Sequence, residues 1–219
     1  MAVNILDRIV KDIKADVFFA EYKYKRVVTA FYKYLEDYYL SVGLGHKRDW
    51  LNDAIVIRPV CGKHFFILTK WFEKFSFLTL QDQRNYPNVL FSGKTLGLNG
   101  EISFKYDLSD YDEKIMALIK LIKEMLIRVD DDYATLEDFY NRDVVPKLDG
   151  LCVFRDNDAE WIFQYLTLGH LVDPDRYPEL KAKLLEHVEW MHSRKEPNVA
   201  RYYDRLDEII SYMENSVKL

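Results

Sequence analysis

Residues 91–104 read FSGKTLGLNGEISF, and the fold of the chain's middle turns on how they are read. If Gly93-Lys94-Thr95 closes a P-loop, the protein is a nucleotide hydrolase. A P-loop needs G-x-x-x-x-G-K-[ST], because the first glycine opens a wide turn whose N–H groups wrap phosphate before a helix begins. The first-glycine position holds Asn88, and Gly97 and Asn99-Gly100 interrupt the residues where that helix should start. Glycine is costly inside a helix, so the second half of the motif fails too. The better reading is a hairpin: Asn99-Gly100 supplies the positive φ angles of a type I′ turn, with Leu96 and Leu98 before it and Ile102, Phe104 and Tyr106 alternating after it.

Working outward, AIVIRPV, KHFFILTK, FSFLTL, NVLFS, KTLGL and EISFKYDL are short, rich in β-branched and aromatic residues, and separated by turn formers. They predict an antiparallel, strand-rich centre over about residues 54–108, although the spacing in KHFFILTKWFEKF also fits a helix. Pro59 lacks a ladder donor, which predicts an edge position or a strand end there.

The flanks read as helices. Asn4 caps a first helix whose stripe is Ile5, Leu6, Ile9, Val10 and Ile13. The three-and-four spacing of Tyr24, Val27, Val28, Phe31, Leu35, Tyr38 and Val42 predicts a second, stopped by Gly43 and Gly45, so the helical N-terminal part covers about residues 4–45. From Ser109 or Asp110 onward, Asp112 and Glu113 precede a stripe of Ile115, Leu118, Ile119, Ile122, Met125, Leu126 and Val129. DAEWIFQYLTLGHL, PELKAKLLEHVEWMH and NVARYYDRLDEIISYME continue a helical C-terminal part over about residues 110–215, joined at Gly169, Pro174, Pro178 and Pro197. Segregated helices, strands and helices predict an α+β fold in one globular domain spanning residues 1–219.

Composition excludes several classes. With 49% hydrophobic residues, 8 glycines and 6 prolines in 219, the chain has material for a core and no low-complexity linker. The acids and bases within MAVNILDRIVKDIKADVFFA disfavour a signal peptide, and no apolar run approaches a membrane span. A cytoplasmic protein without membrane association is expected, with Cys61 and Cys152 as free thiols. The net charge is −5. Residues 130–143, DDDYATLEDFYNRD, hold six acids and one base, a local balance that matches the whole excess.

No catalytic pattern stands out. The five histidines form no H-E-x-x-H, HVE at 187–189 lacks the P-C-x-x-C of zinc deaminases, and GLGH at 43–46 is a fragment of a dinucleotide fingerprint. In CGKH at 61–64 a thiolate and an imidazole face opposite ways along a strand unless Gly62 turns the chain. No cofactor is expected. Asp130, Asp131, Asp132, Glu137 and Asp138 offer hard oxygen ligands, so a metal-dependent phosphodiesterase or nuclease is one alternative. Tyr22, Tyr24, Tyr32 and Tyr34 interleaved with Lys23, Lys25, Arg26 and Lys33 raise single-stranded nucleic-acid binding as another, but residues 21–40 carry a net +1, too little for a strong phosphate footprint.

The preferred expectation is a non-enzymatic protein that binds a basic protein partner, in its most concrete form an inhibitor or immunity protein that neutralises a nuclease toxin. Its predicted contact residues are Asp130, Asp131, Asp132, Tyr133, Glu137, Asp138, Tyr140 and Asp143. Acids steer a basic partner and aromatics serve as desolvated anchors. Thr135 is expected to cap a short helix with Asp138 three residues on.

Overall fold

The computed structural model describes residues 5–83, 85, 87–152 and 159–218; the predicted cap Asn4 and the start of the DAEWIFQYLTLGHL helix at Asp158 lie outside them. The fold is α+β, with an N-terminal helix, an antiparallel sheet and C-terminal helices. The chain divides into two compact units. One comprises residues 1–64 and 89–132, the other residues 65–88 and 133–219.

The first unit is a sheet with two helices. α1 (Ile5–Ala15) buries Ile5, Ile9, Val10 and Ile13 as its spacing predicts. The expected second helix does not form. Residues 23–49 are instead β1 (Lys23–Lys25), β2 (Ala30–Tyr34) and β3 (Tyr38–Asp49). A helix would bury Val27 and Val28, yet Val27 is 88% exposed beside a left-handed Thr29. Phe31, Leu40, Val42 and Leu44 follow the two-residue period of a strand and enter the core. Gly43 and Gly45 lie within β3 instead of ending a helix, and a Cβ on Gly45 would come within 3.0 Å of the Arg58 carbonyl oxygen.

β4 (Ala54–Phe65) runs beside β3 and carries the other sheet edge in two pieces, β5 (Val89–Ser92) and β6 (Ile102–Lys105). β6 pairs with Ala54–Ile57 and β5 with Val60–Lys63. Pro59 is therefore neither at an edge nor at a strand end. It sits inside a central strand, level with the gap between β6 and β5 on one side of that strand.

β5 and β6 pair with β4 and not with each other, so the predicted Asn99-Gly100 hairpin is absent. Residues 93–100 form a compact turn, with Leu98 N–H donating to the Gly93 carbonyl at 2.8 Å and the left-handed position falling on Gly97. KTLGL is accordingly no strand; Leu96 and Leu98 tuck against the core. α3 (Tyr111–Asp132) forms as its stripe predicts and packs on the sheet face that presents Phe31, Leu40, Val42, Ile55, Ile57, Cys61 and Phe104.

The second unit is helical. After β4, Phe66–Leu68 and Lys70–Lys74 wind as 3-10 turns, which set Leu68, Phe72 and Phe75 on one buried face; FSFLTL adds no strand. α2 (Leu80–Gln83) precedes Asn88, a fully buried amide that accepts the Phe65 N–H and donates to Gln164 at 3.0 Å. α4 (Leu136–Phe139), a π turn at Tyr140–Val144 and α5 (Val145–Leu148) lead to α6 (Ala159–Val172), α7 (Tyr177–Ser193), α8 (Pro197–Tyr203) and α9 (Leu206–Ser216). α6 and α7 approach closely because position 169 is glycine: a Cβ there would lie 2.4 Å from Leu180 Cδ2.

Candidate functional site

The acidic segment begins at the last turn of α3, where Asp130, Asp131 and Asp132 follow one another with no base among them. Carboxylates at a helix C-terminus oppose the helix dipole. Lys63, on the core face of β4, offsets one of them. Its Nζ lies 2.6 Å from Asp130 Oδ1 and 3.9 Å from the Tyr38 ring centroid, and the lysine is 1% exposed. Burial raises the Tyr38 hydroxyl pKa, and the neighbouring Asp130 charge and hydrogen bond raise it further. Burial also pushes the Tyr22 hydroxyl and the Cys61 thiol up. The thiol is thus held protonated. The neighbouring His64 belongs to the opposite sheet face, where it stacks parallel on Tyr39 at 4.8 Å.

In the second unit Thr135 caps α4 as expected. Its hydroxyl accepts the Asp138 N–H at 3.1 Å, and the Asp138 carboxylate accepts the Thr135 N–H at 2.9 Å. Tyr133 packs edge-on to Phe139 at 5.8 Å and is 7% exposed. Tyr140, 2% exposed, donates its hydroxyl to Asp173 at 3.1 Å; burial and that hydrogen bond push its pKa up to about 12. Asp143 is half-buried, and its carbonyl accepts Lys147 Nζ at 2.6 Å.

The predicted site residues therefore separate by role. Tyr133 and Tyr140 are buried, so neither is exposed as an anchor for a partner: apolar rings in this short acidic stretch are drawn into the core. Asp130 is held by Lys63, and Asp138 by the cap. Asp132 and Asp143 are half-buried, while Asp131 and Glu137 are exposed and make no ion pair among the described residues. Sequence reasoning missed Lys63. Its signal was a lysine on the apolar parity of a strand, in step with Ile55, Ile57 and Cys61.

The remaining candidates are placed as follows. Among the described residues no group of three or more His, Cys, Asp or Glu is arranged to hold a metal ion. Of the four tyrosines proposed for base stacking, Tyr22 and Tyr24 pack against the core and Tyr32 is buried, leaving Tyr34 with an exposed ring. In HVE, His187 stacks on Trp190 and Glu189 accepts the Tyr203 hydroxyl. No helix among the described residues is long and apolar enough to cross a membrane. No family model, curated protein or solved structure matches the chain.

Proposed function

We propose that this protein binds a basic protein partner through the acidic segment at residues 130–143 and acts as its inhibitor. The observation that carries the reading is the exposure of Asp131 and Glu137, which make no ion pair among the described residues, in a stretch that holds six acids against one base. Charges so placed raise the encounter rate with a basic surface and are screened by salt. In the first unit the Lys63 pair at Asp130 fixes the backbone beside Asp131, and in the second the cap at Asp138 fixes that beside Glu137, which lowers the ordering cost of binding at each. A nucleic-acid-cleaving enzyme is the most concrete partner, since its phosphate groove is basic and a row of carboxylates can occupy it.

The test is capture from native lysate with the tagged protein at low and high salt, beside the Asp131→Lys, Glu137→Lys double variant. A stoichiometric basic protein retained by the wild type, released by salt and lost from the folded variant supports the proposal. Equal retention by both proteins rejects the segment as the contact.

A further inference from the structure

Asn99 and Gly100 form no hairpin turn, and the conformation they do adopt leaves a chemical reactivity open. When glycine follows asparagine, its backbone nitrogen can attack the asparagine side-chain amide without obstruction, because glycine has no Cβ. Asn99 is the one asparagine in the sequence followed by glycine.

The peptide between the two residues is unrestrained. Neither the Asn99 carbonyl nor the Gly100 N–H takes part in a backbone hydrogen bond among the described residues. The turn is closed before them, by Leu96 and Leu98 N–H donating to the Gly93 carbonyl at 3.1 and 2.8 Å. Asn99 is exposed, and its Oδ1 accepts the Glu101 N–H at 3.5 Å. That donor faces the oxygen on which negative charge develops when Cγ is attacked. The reacting nitrogen and carbon belong to adjoining groups, so rotation about the bonds of Asn99 brings them together and no second side chain has to be positioned.

Comparable positions are held. Asp149-Gly150 could close the same ring, but the Gly150 N–H donates to the Lys147 carbonyl at 3.3 Å and the Asp149 carboxylate accepts Arg176 at 2.9 Å. Asn88 is fully buried with its amide engaged as donor and acceptor. Asn52 donates Nδ2 to Asp49 at 2.8 Å, and Asn215, in α9, donates to the Ser211 carbonyl at 2.7 Å.

We propose that Asn99 is a site of spontaneous covalent modification, deamidating through a succinimide to aspartate and isoaspartate. The Gly100 amide gives its proton to a base, its nitrogen bonds to Asn99 Cγ, and the Cγ–Nδ2 bond breaks with release of ammonia. Water then opens the ring at one of its two carbonyls, leaving an aspartyl or an isoaspartyl link. Either product adds one negative charge to a chain whose net charge is −5. The isoaspartyl link also inserts a methylene into the backbone, at a point where the Asn99 carbonyl oxygen would lie 2.6 Å from a Cβ on Gly93. The lengthened turn is the one whose Leu96 carbonyl accepts Arg128 Nη1 at 2.6 Å. This reaction is independent of the partner-binding proposal, and the failure of either leaves the other standing.

The test is to age the folded full chain at neutral and mildly alkaline pH beside the free peptide of residues 95–105, and to compare tryptic maps with those of fresh protein. Trypsin cuts after Lys94 and Lys105 and so releases the same span. The span from the aged protein should gain the mass difference between an amide and an acid at residue 99, split into two isomeric products, and convert faster in proportion to hydroxide. The peptides bearing Asn52, Asn88 and Asn215 should keep their mass over the same interval. Gly100→Ala, whose Cβ would stand 3.3 Å from Lys94, should lose most of the conversion while circular dichroism shows it folded. Unchanged mass at residue 99 in the folded chain after the free peptide has converted fully, or conversion of folded Gly100→Ala as fast as the parent, overturns the proposal.

Discussion

Lys63 and Asp130, 67 residues apart in the chain, meet at 2.6 Å with the lysine side chain 1% exposed and the aspartate side chain 37% exposed. The pair is asymmetric, because one charge has lost its water and the other has kept a share. Asp130→Asn should therefore destabilise by about 2–4 kcal/mol, somewhat below the loss for a fully buried pair, since it leaves an ammonium in the core facing a neutral amide. Lys63→Met removes the buried charge and keeps the stem's volume, and should cost about 1 kcal/mol. The double variant should recover most of the loss in urea unfolding. A Lys63→Met loss equal to that of Asp130→Asn would contradict the asymmetry.

The α4 cap separates structural from exposed acids. Thr135→Ala and Asp138→Ala should each cost about 1 kcal/mol, and together less than the sum, because each breaks the same reciprocal pair of hydrogen bonds. Glu137→Ala, one residue away and exposed, should stay within about 0.5 kcal/mol of the parent. Thermal unfolding of the four variants and the parent is sufficient. Equal losses at positions 137 and 138 would mean that the box does not form in solution.

The parts of the fold legible in the sequence were those set by local periodicity. α3 carries its stripe over 22 residues with no competing alternation, and Pro178 and Pro197 open α7 and α8, whereas Gly169, expected as a joint, lies inside α6. Residues 24–42 were misleading because Tyr24, Val28, Phe31, Leu35 and Tyr38 fit a helical period while their types favour strands; what decided the outcome was pairing across the sheet, as at Tyr24↔Phe31 and Phe31↔Val42. The Pro59 gap depends on where two distant strands end. At the candidate site the charge of residues 130–143 was readable, but the fate of each acid was not. Asp130 is paired with a buried lysine that no local pattern connects to it, whereas Thr135 and Asp138 interact over three residues and were anticipated.

Gly169 tests the approach of α6 and α7. Alanine is favoured over glycine within a helix by about 1 kcal/mol, so a roomy crossing would make Gly169→Ala stabilising. The 2.4 Å approach of its Cβ to Leu180 Cδ2 forces the leucine out of place, and overpacking of this kind costs about 1–3 kcal/mol, so the net change should be neutral to about 2 kcal/mol destabilising. Gly169→Ala combined with Leu180→Val should then be more stable than Leu180→Val alone. A stabilising single substitution would show that the helices are not held at this distance.

Asp16 gives the first unit a defined acid sensitivity. Its carboxylate accepts Lys123 Nζ at 2.8 Å and the Phe18 N–H at 2.9 Å. The Lys123 hydrogen bond is the main reason its pKa is held below the ordinary 3.8, against the opposing effect of burial. As pH falls, the unfolded chain takes up this proton first, so between the unfolded and folded pKa values the unfolded state binds more protons and stability declines with acidification. The contribution is complete above the unfolded value and is lost as pH falls through the folded one. Asp16→Asn should accordingly be less stable than the parent at neutral pH, with the gap narrowing progressively as pH falls through the unfolded value of 3.8 towards the lower folded one. Urea unfolding midpoints from neutral pH downward measure it; parallel pH profiles for the two proteins would show that Asp16 titrates alike in the folded and unfolded chains.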